Sequence, residues 1–142
     1  MKKKAAVLQM TSSCDVKNNL KIIDKQLSLL SKKNIGLVVL PENFAFMGKH
    51  EDDKLSIAEE YGHGMIQIII GNMALKYNMW VVAGSIPIIS RDPKRCYASS
   101  IVFNNKGDIV ERYDKIHLFD VRVSETESHK ESNSTFPGDE IK

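Results

Sequence analysis

The stretch VVLPENF, residues 38–44, places a carboxylate directly after a short apolar run. Residues 37–40 are apolar at consecutive positions, which predicts a buried strand in a sheet that is covered on both faces. Pro41 has no amide hydrogen to donate to a neighbouring strand, so we expect the strand to end there. Because ligands of α/β proteins bind beyond the ends of strands, Glu42 lies where a functional side chain is expected. Between Leu40 and Phe44 its carboxylate is expected to be partly desolvated, which would suit it to act as a general base.

The rest of the chain alternates between helical and strand patterns. Apolar residues recur at steps of three and four, which predicts helices at residues 16–33 and 65–77. Strands are predicted at residues 5–10, 37–40, 80–86, 98–103 and 109–113, with Pro87 closing the third and a hairpin turn at residues 104–107. Residues 121–139 show no periodicity and predict a long loop. This order predicts one α/β domain whose mixed sheet is flanked by helices.

Composition and charge are those of an ordinary globular domain. Hydrophobic residues make up 42% of the chain and charged residues 27%. The net charge of +2 is too balanced to indicate a nucleic-acid partner. The apolar run at residues 5–8 is broken by Gln9, which makes it too short for a signal peptide, and no stretch approaches the ~20 apolar residues of a membrane span. We therefore expect a cytoplasmic protein with no nucleic acid and no membrane as partner.

A second informative segment is YDKIHLFD, residues 113–120, in which Lys115 follows a predicted hairpin strand. Its bulky neighbours would bury the ammonium, and a buried lysine needs a carboxylate nearby, for which Glu42 is the candidate. Between the two segments lie VAGSIP, residues 82–87, and SSIVFN, residues 99–104. Taken together, these segments resemble the nitrilase, or carbon–nitrogen hydrolase, superfamily.

The resemblance covers about residues 4–140 and implies both a fold and a set of catalytic roles. The family fold is a four-layer αββα sandwich, and the predicted elements match its first half. A carbon–nitrogen hydrolase domain over residues 1–142 would thus be incomplete at its C-terminal end. The family works with a Glu, a Lys and a Cys. By this resemblance Glu42 is the general base and Lys115 stabilises the oxyanion of a tetrahedral intermediate.

The resemblance also implies a second glutamate in the polar loop. Many family members carry one there, ahead of a segment that FPGD, residues 136–139, matches. Glu131 takes this position, with an implied supporting role of placing the nucleophile and the substrate. Glu125 and Glu127 are nearby competitors for the same role.

The family nucleophile has no counterpart in this sequence. It lies in a Gly-x-x-x-Cys-Tyr-Asp segment after the lysine, and no such segment occurs here. Cys14 and Cys96 both precede Lys115, and we interpret them as core or loop residues that form no disulfide. Three explanations stay open: a shortened chain, an interrupted or split gene, and a non-catalytic relative that serves as a binding or interaction module. We expect the chain alone to be inactive, and to form a homo-oligomer or to bind the missing C-terminal half.

Within the family, residues 114–121 and the KES segment, residues 130–132, are most similar to the omega-amidase and deaminated-glutathione amidase branch. This implies a small amide substrate that loses ammonia, ahead of a nitrile or a carbamoyl amine. The four histidines lack the spacing of a metal site, and no nucleotide-binding glycine motif occurs, so no metal and no cofactor is expected. We interpret His117 as a residue of the core or one that supports the site.

Overall fold

The computed structural model describes residues 4–124 and 128–142 of the chain. It contains strands β1 (Lys4–Val7), β2 (Ile35–Val39), β3 (Trp80–Ile89), β4 (Cys96–Phe103), β5 (Ile109–Asp114), β6 (Asp120–Arg122) and β7 (Ser128–Lys130). The α-helices are α1 (Val16–Ser31) and α2 (Met65–Tyr77), and short 3-10 helices span Asp53–Ile57 and Glu131–Asn133. Strands β1 to β5 form one sheet in chain order. Neighbours are parallel from β1 to β3 and antiparallel from β3 to β5, which confirms an α/β fold with a mixed sheet.

Helix α1 begins, and helix α2 ends, at a residue suited to that position. The Asp15 carboxylate accepts a hydrogen bond of 3.0 Å from the amide of Asn18 and so caps the start of α1. Helix α2 has the bounds that its apolar periodicity predicts, and it ends at Asn78 in the left-handed conformation. A helix in each α/β crossover lets β1, β2 and β3 lie parallel.

The hydrophobic core lies between the helices and one face of the sheet. Its sheet side is formed by Val38, Val81, Ala83, Ile101 and Phe103, each at most 1% exposed. Side chains alternate along a strand, so the next residues in register point to the opposite face: Val7, Val39, Val82 and Val102. Val7 is 82% exposed, and the other three are partly exposed. The described helices therefore pack against only one face of β2. Coverage of both faces, which its apolar run predicts, is not met by the described residues, and an open second face is what we expect of the first half of a sandwich.

Two strand predictions need correction. The first strand is shorter than residues 5–10 and largely exposed, because β1 is an edge strand that pairs only with β2. Strand β3 does not end before Pro87 but continues to Ile89. The Pro87 carbonyl accepts from the amide of Glu59 at 2.9 Å, on the side away from β4. Amide and carbonyl of one strand residue point the same way, so the missing N–H leaves the pairing with β4 intact.

The segment at residues 121–139 is also more ordered than a long loop. Its described part contains the antiparallel hairpin β6–β7, in which Val121 faces His129, and the 3-10 helix that begins at Glu131. Strands of three residues are too short for their periodicity to be read from sequence. Glu125 and Glu127 lie outside the described residues. No helix in the described part of the chain is long and apolar enough to cross a membrane.

Candidate active site

Lys115 lies between two carboxylates that come from distant parts of the chain. Its Nζ is 3.0 Å from Glu42 Oε1 and 3.0 Å from Glu131 Oε2. The Glu131 side chain is 10% exposed, that of Lys115 28% and that of Glu42 54%. The structure thus brings together the three residues predicted from sequence, with the lysine in the middle.

The position of Lys115 is fixed through its backbone. Strand β5 ends at Asp114, and the next amide, that of Lys115, donates to the carbonyl of Ala98 at 3.0 Å. The Lys115 carbonyl accepts from the amide of Gly138 at 2.9 Å. A Cβ at Gly138 would lie 2.3 Å from the Asp114 carbonyl oxygen, so a larger residue does not fit against this strand end. Both backbone groups of Lys115 are therefore held, which leaves only its side chain free to adjust.

Glu42 lies in a tight turn at the end of β2. Asn43 follows in the left-handed conformation, with φ of 54°, which asparagine tolerates better than most residues. Its amide donates to Ser85 Oγ at 2.8 Å, and this bond ties the turn to β3. A Cβ at Gly84 would lie 2.0 Å from the Pro41 carbonyl oxygen, so glycine is required for this close approach.

The environment of Glu42 differs from the prediction of a partly desolvated carboxylate. Its apolar neighbours Leu40 and Phe44 belong to the hydrophobic core, where they are 2% and 0% exposed. They therefore pack away from solvent while the Glu42 side chain stays more than half exposed. The expected desolvation is wrong for this chain, because the two bulky residues cover the core and leave the carboxylate in contact with water.

Of the three side chains, that of Glu131 is the most enclosed. Its Oε2 accepts a hydrogen bond of 2.7 Å from the amide of Phe119. Burial alone would raise the pKa of Glu131. The hydrogen bonds from Phe119 and Lys115, the charge of Lys115 and, least, the charge of Lys54 outweigh it and lower the pKa. Glu131 is therefore a fixed anion at neutral pH.

Lys115 is the corresponding fixed cation. Desolvation opposes its charge and would lower the pKa of the amine. The hydrogen bonds to Glu131 and then to Glu42 outweigh this effect, so the pKa of Lys115 is raised from its ordinary value. A lysine in this state is a poor proton donor at neutral pH but a stable source of positive charge for an oxyanion.

Glu42 and Lys115 line a cavity of about 260 Å³. The other lining residues are Gly84, Ser85, Ala98, Ser100 and Tyr113. Sequence reasoning assigned these residues to structural strands or to bulk around Lys115 and so missed their place in the cavity. Ser100 and Tyr113 are cross-strand partners on β4 and β5, a relation that follows only from the register. The amide of Phe119 was missed as well, because a backbone donor leaves no signal in the sequence.

The remaining histidine and cysteine candidates lie outside this cavity. His117 is exposed, so its predicted place in the core is wrong. Cys14 is exposed and Cys96 buried; both are free thiols, and burial raises the pKa of Cys96. Across residues 4–124 and 128–142, no three His, Cys, Asp or Glu side chains are grouped to hold a metal ion.

Comparison with known proteins gives a consistent relationship. Residues 4–142 match the carbon–nitrogen hydrolase family. The chain is 35% identical over 138 residues to a deaminated glutathione amidase of Yersinia enterocolitica, covering 96% of this chain and 48% of that protein. It spans about half the length of the curated relatives it matches.

Solved structures show the same relationship at the level of the fold. The C. elegans NitFhit protein superposes with a TM-score of 0.84 and 25% identity, over 99% of this chain and 35% of that one. Saccharomyces cerevisiae Nit3, a member of branch 10 of the nitrilase superfamily, superposes with a TM-score of 0.79 and 26% identity, over 97% of this chain and 49% of that one. The chain therefore belongs to the carbon–nitrogen hydrolase family of the nitrilase superfamily.

Proposed function

We propose that this chain provides the glutamate–lysine part of an amidase site that releases ammonia from a small amide. The observation that carries the proposal is the Lys115 ammonium, held 3.0 Å from each of two carboxylates beside a cavity of about 260 Å³. A fixed cation next to a reacting carbonyl stabilises the negative charge that develops on its oxygen. The deaminated glutathione amidases among the relatives support an amide substrate.

Each of the three residues has a distinct role in this reaction. Glu42 accepts the proton of an attacking thiol, and its exposed carboxylate can pass that proton to the departing ammonia. The thiolate forms a bond to the amide carbon while Lys115 faces the resulting oxyanion, and loss of ammonia leaves a thioester. Water, deprotonated by Glu42, then attacks the thioester and releases the acid and the thiol. The resemblance implies that Glu131 helps to place the nucleophile and the substrate. Because Glu131 touches Lys115 but does not line the cavity, we propose that it does so by holding the lysine.

We further propose that the thiol comes from outside these 142 residues. Neither Cys14 nor Cys96 lines the cavity of Glu42 and Lys115. Cys96 is 1% exposed, and its raised pKa disfavours the thiolate. The chain alone is then inactive, and it works together with a C-terminal half or within an oligomer. Two thiols without a disulfide also fit the reducing cytoplasm.

The substrate class can be tested by a direct screen. The protein encoded by the open reading frame that contains this chain is assayed for ammonia release from small amides, nitriles and carbamoyl amines at equal concentrations. We expect release from amides, with α-keto acid amides the best, as the omega-amidase branch implies. Activity on nitriles alone would contradict the assignment to an amidase.

A binding module that keeps the fold without the reaction is the second candidate. The observation in its favour is that neither cysteine reaches the cavity. The coding sequence after Lys142 discriminates the two: a Gly-x-x-x-Cys-Tyr-Asp segment in any reading frame supports an enzyme, and a stop codon without one supports the module. A covalent acyl adduct on Cys14 or Cys96, found by mass spectrometry, would disprove our view that the chain alone is inactive.

A further inference from the structure

A second lysine, Lys54, contacts the chain segment that carries Glu131. Lys54, in the 3-10 helix Asp53–Ile57, has a side chain that is only 17% exposed. Its Nζ donates to Thr135 Oγ1 at 2.8 Å and to Glu51 Oε2 at 3.2 Å. Lysine side chains are seldom this buried unless they are paired. The sequence gives no reason to single out this residue, because it lies in a polar loop.

Thr135 connects Lys54 to the backbone of Glu131. Its side chain is fully buried, and its amide donates to the Glu131 carbonyl at 2.9 Å. This bond closes the turn that begins at Glu131. The neighbouring residues Ser134 and Phe136 are tied to Cys96 of β4 by backbone bonds of 3.0 and 2.9 Å. The Lys54 ammonium therefore anchors a turn whose other end presents the Glu131 carboxylate to Lys115.

The charges around the site give Lys54 a second effect. Glu42 and Glu131 are two anions that share the single cation Lys115. Lys54 adds a positive charge near Glu131 and contributes to the lowering of its pKa. Glu51 partly offsets that charge, and it also contacts His129 Nε2 at 3.2 Å. Loss of Lys54 would therefore remove one of the two lysine charges that act on Glu131.

We propose that Lys54 is a positioning residue that anchors the turn of Glu131 through Thr135 and thereby holds the Glu131 carboxylate against Lys115. The proposal rests on the function proposed above for Glu131 and Lys115, but its physical content concerns only this chain. It extends the site beyond the cavity to the 3-10 helix Asp53–Ile57. The contact joins two segments 81 residues apart, so the loop after β2 and the turn of Glu131 behave as one unit.

The test is an NMR titration of the Glu131 carboxyl carbon in this chain, labelled with ¹³C at its glutamates. Glu131→Gln identifies the resonance. We expect Lys54→Met to move the Glu131 midpoint upward, well outside the titration error, because an anchoring cation has been lost. Lys54→Arg restores the original midpoint, since it keeps both the charge and a donor. Loss of the Lys54 charge alone would also raise the midpoint, so the anchor itself is tested by the Thr135→Val variant.

Lys49→Met is the matched control, because Lys49 is an exposed lysine of the same loop and the midpoint should not change there. An unchanged midpoint in Lys54→Met, with a dispersed amide spectrum, overturns the proposal. Thr135→Val is titrated in every case, since it removes the anchoring hydroxyl, keeps every charge and so separates the anchor from the charge of Lys54. We expect a smaller upward shift there, and no shift overturns the proposal. No ammonia is measured, so the result is independent of whether the amidase assignment holds.

Discussion

Lys115 keeps its charge in a partly enclosed position because two carboxylates reach it from different elements. Glu131 is enclosed and holds the lysine, whereas Glu42 is exposed and can exchange protons with solvent. This division gives the two carboxylates different expected effects on stability and on catalysis. It also means that substitutions at these two positions can separate the structural part of the site from its chemical part.

Glu131→Gln should lower the free energy of unfolding at neutral pH by about 1.5–3 kcal/mol, the range for a lost hydrogen bond to a charged group. Glutamine can still accept from Phe119 but carries no charge for Lys115. Urea unfolding of both proteins, followed by circular dichroism, measures the difference. An unchanged midpoint at neutral pH would show that the Glu131–Lys115 contact contributes nothing to stability.

The stability that Glu131 provides should also depend on pH. Its pKa in the folded chain is lowered, so this stability is present above the unfolded value of about 4.3 and is lost as pH falls through the folded pKa. The pKa of Lys115 is raised, so its contribution persists below about pH 10.4 and is lost as pH rises through its folded pKa. Urea midpoints from pH 2 to pH 7 should therefore drop more steeply in the unmodified chain than in Glu131→Gln. Parallel curves would contradict the assigned shift.

Glu42→Gln should leave the free energy of unfolding within about 0.5 kcal/mol of its original value, because the carboxylate is 54% exposed. In an active protein that contains this chain, the same change should reduce ammonia release by about 10²–10⁴-fold, the usual contribution of a general base. Ammonia assay and urea unfolding of the same preparation give both numbers. A large loss of stability with little loss of activity would reverse the roles assigned to Glu42 and Glu131.

The contact between Glu42 and Lys115 could be predicted from sequence, because a lysine among bulky residues requires a carboxylate. The exposure of Glu42 could not be predicted from sequence, since it depends on the direction in which Leu40 and Phe44 pack. Glu131 was selected by its position before FPGD, residues 136–139. Its hydrogen bond from the Phe119 amide could not be predicted, because a backbone donor leaves no signal in the sequence.

The turn after β2 packs closely against β3, with Gly84 next to the backbone of Pro41. Gly84→Ala would place a Cβ 2.0 Å from the Pro41 carbonyl oxygen, and backbone atoms cannot move aside cheaply. We expect a loss of about 1–3 kcal/mol in the free energy of unfolding, together with displacement of Glu42 from Lys115. Gly62→Ala is the control, since nothing lies within 4 Å of its Cβ and only its φ of 84° is unfavourable. Equal, small losses in both variants would show that the close approach does not determine the turn.

Helix α2 was predicted with its observed bounds because residues 65–77 are a long, mostly apolar run that contains no proline. The continuation of β3 through Pro87 was missed, since it depends on which side of the strand faces β4. The hairpin β6–β7 was missed because strands of three residues carry no readable pattern. Sequence thus predicts elements that depend on neighbouring residues in the chain. It does not predict features that depend on pairing with another strand.

For the whole molecule, the open face of the sheet is the main consequence of the packing. Val39 and Val82 lie side by side on it, while their neighbours Val38 and Val81 are fully buried under the helices. Val39 and Val82 are partly exposed, and Val7 on the same face is 82% exposed. Exposed apolar surface marks an interface or promotes aggregation. We expect the isolated chain to be marginally stable, to bind a hydrophobic dye and to self-associate in light scattering.

Val82→Thr should reduce this self-association with little effect on stability, because the hydroxyl stays hydrated on the open face. Val81→Thr is the matched control on the covered face, where an unpaired hydroxyl should cost about 1–3 kcal/mol. A monodisperse monomer with a sharp thermal transition and no bound dye would disprove the open face and, with it, the interpretation of the chain as half of a sandwich.

If Lys115 and Glu42 serve amide hydrolysis, both are needed for ammonia release from α-keto acid amides. The assay uses the protein that the open reading frame containing this chain encodes, and compares the unmodified protein with Lys115→Met and Glu42→Gln. We predict release by the unmodified protein and its loss in both variants, with the fold retained. Amide hydrolysis that survives both substitutions would contradict the roles assigned to Lys115 and Glu42.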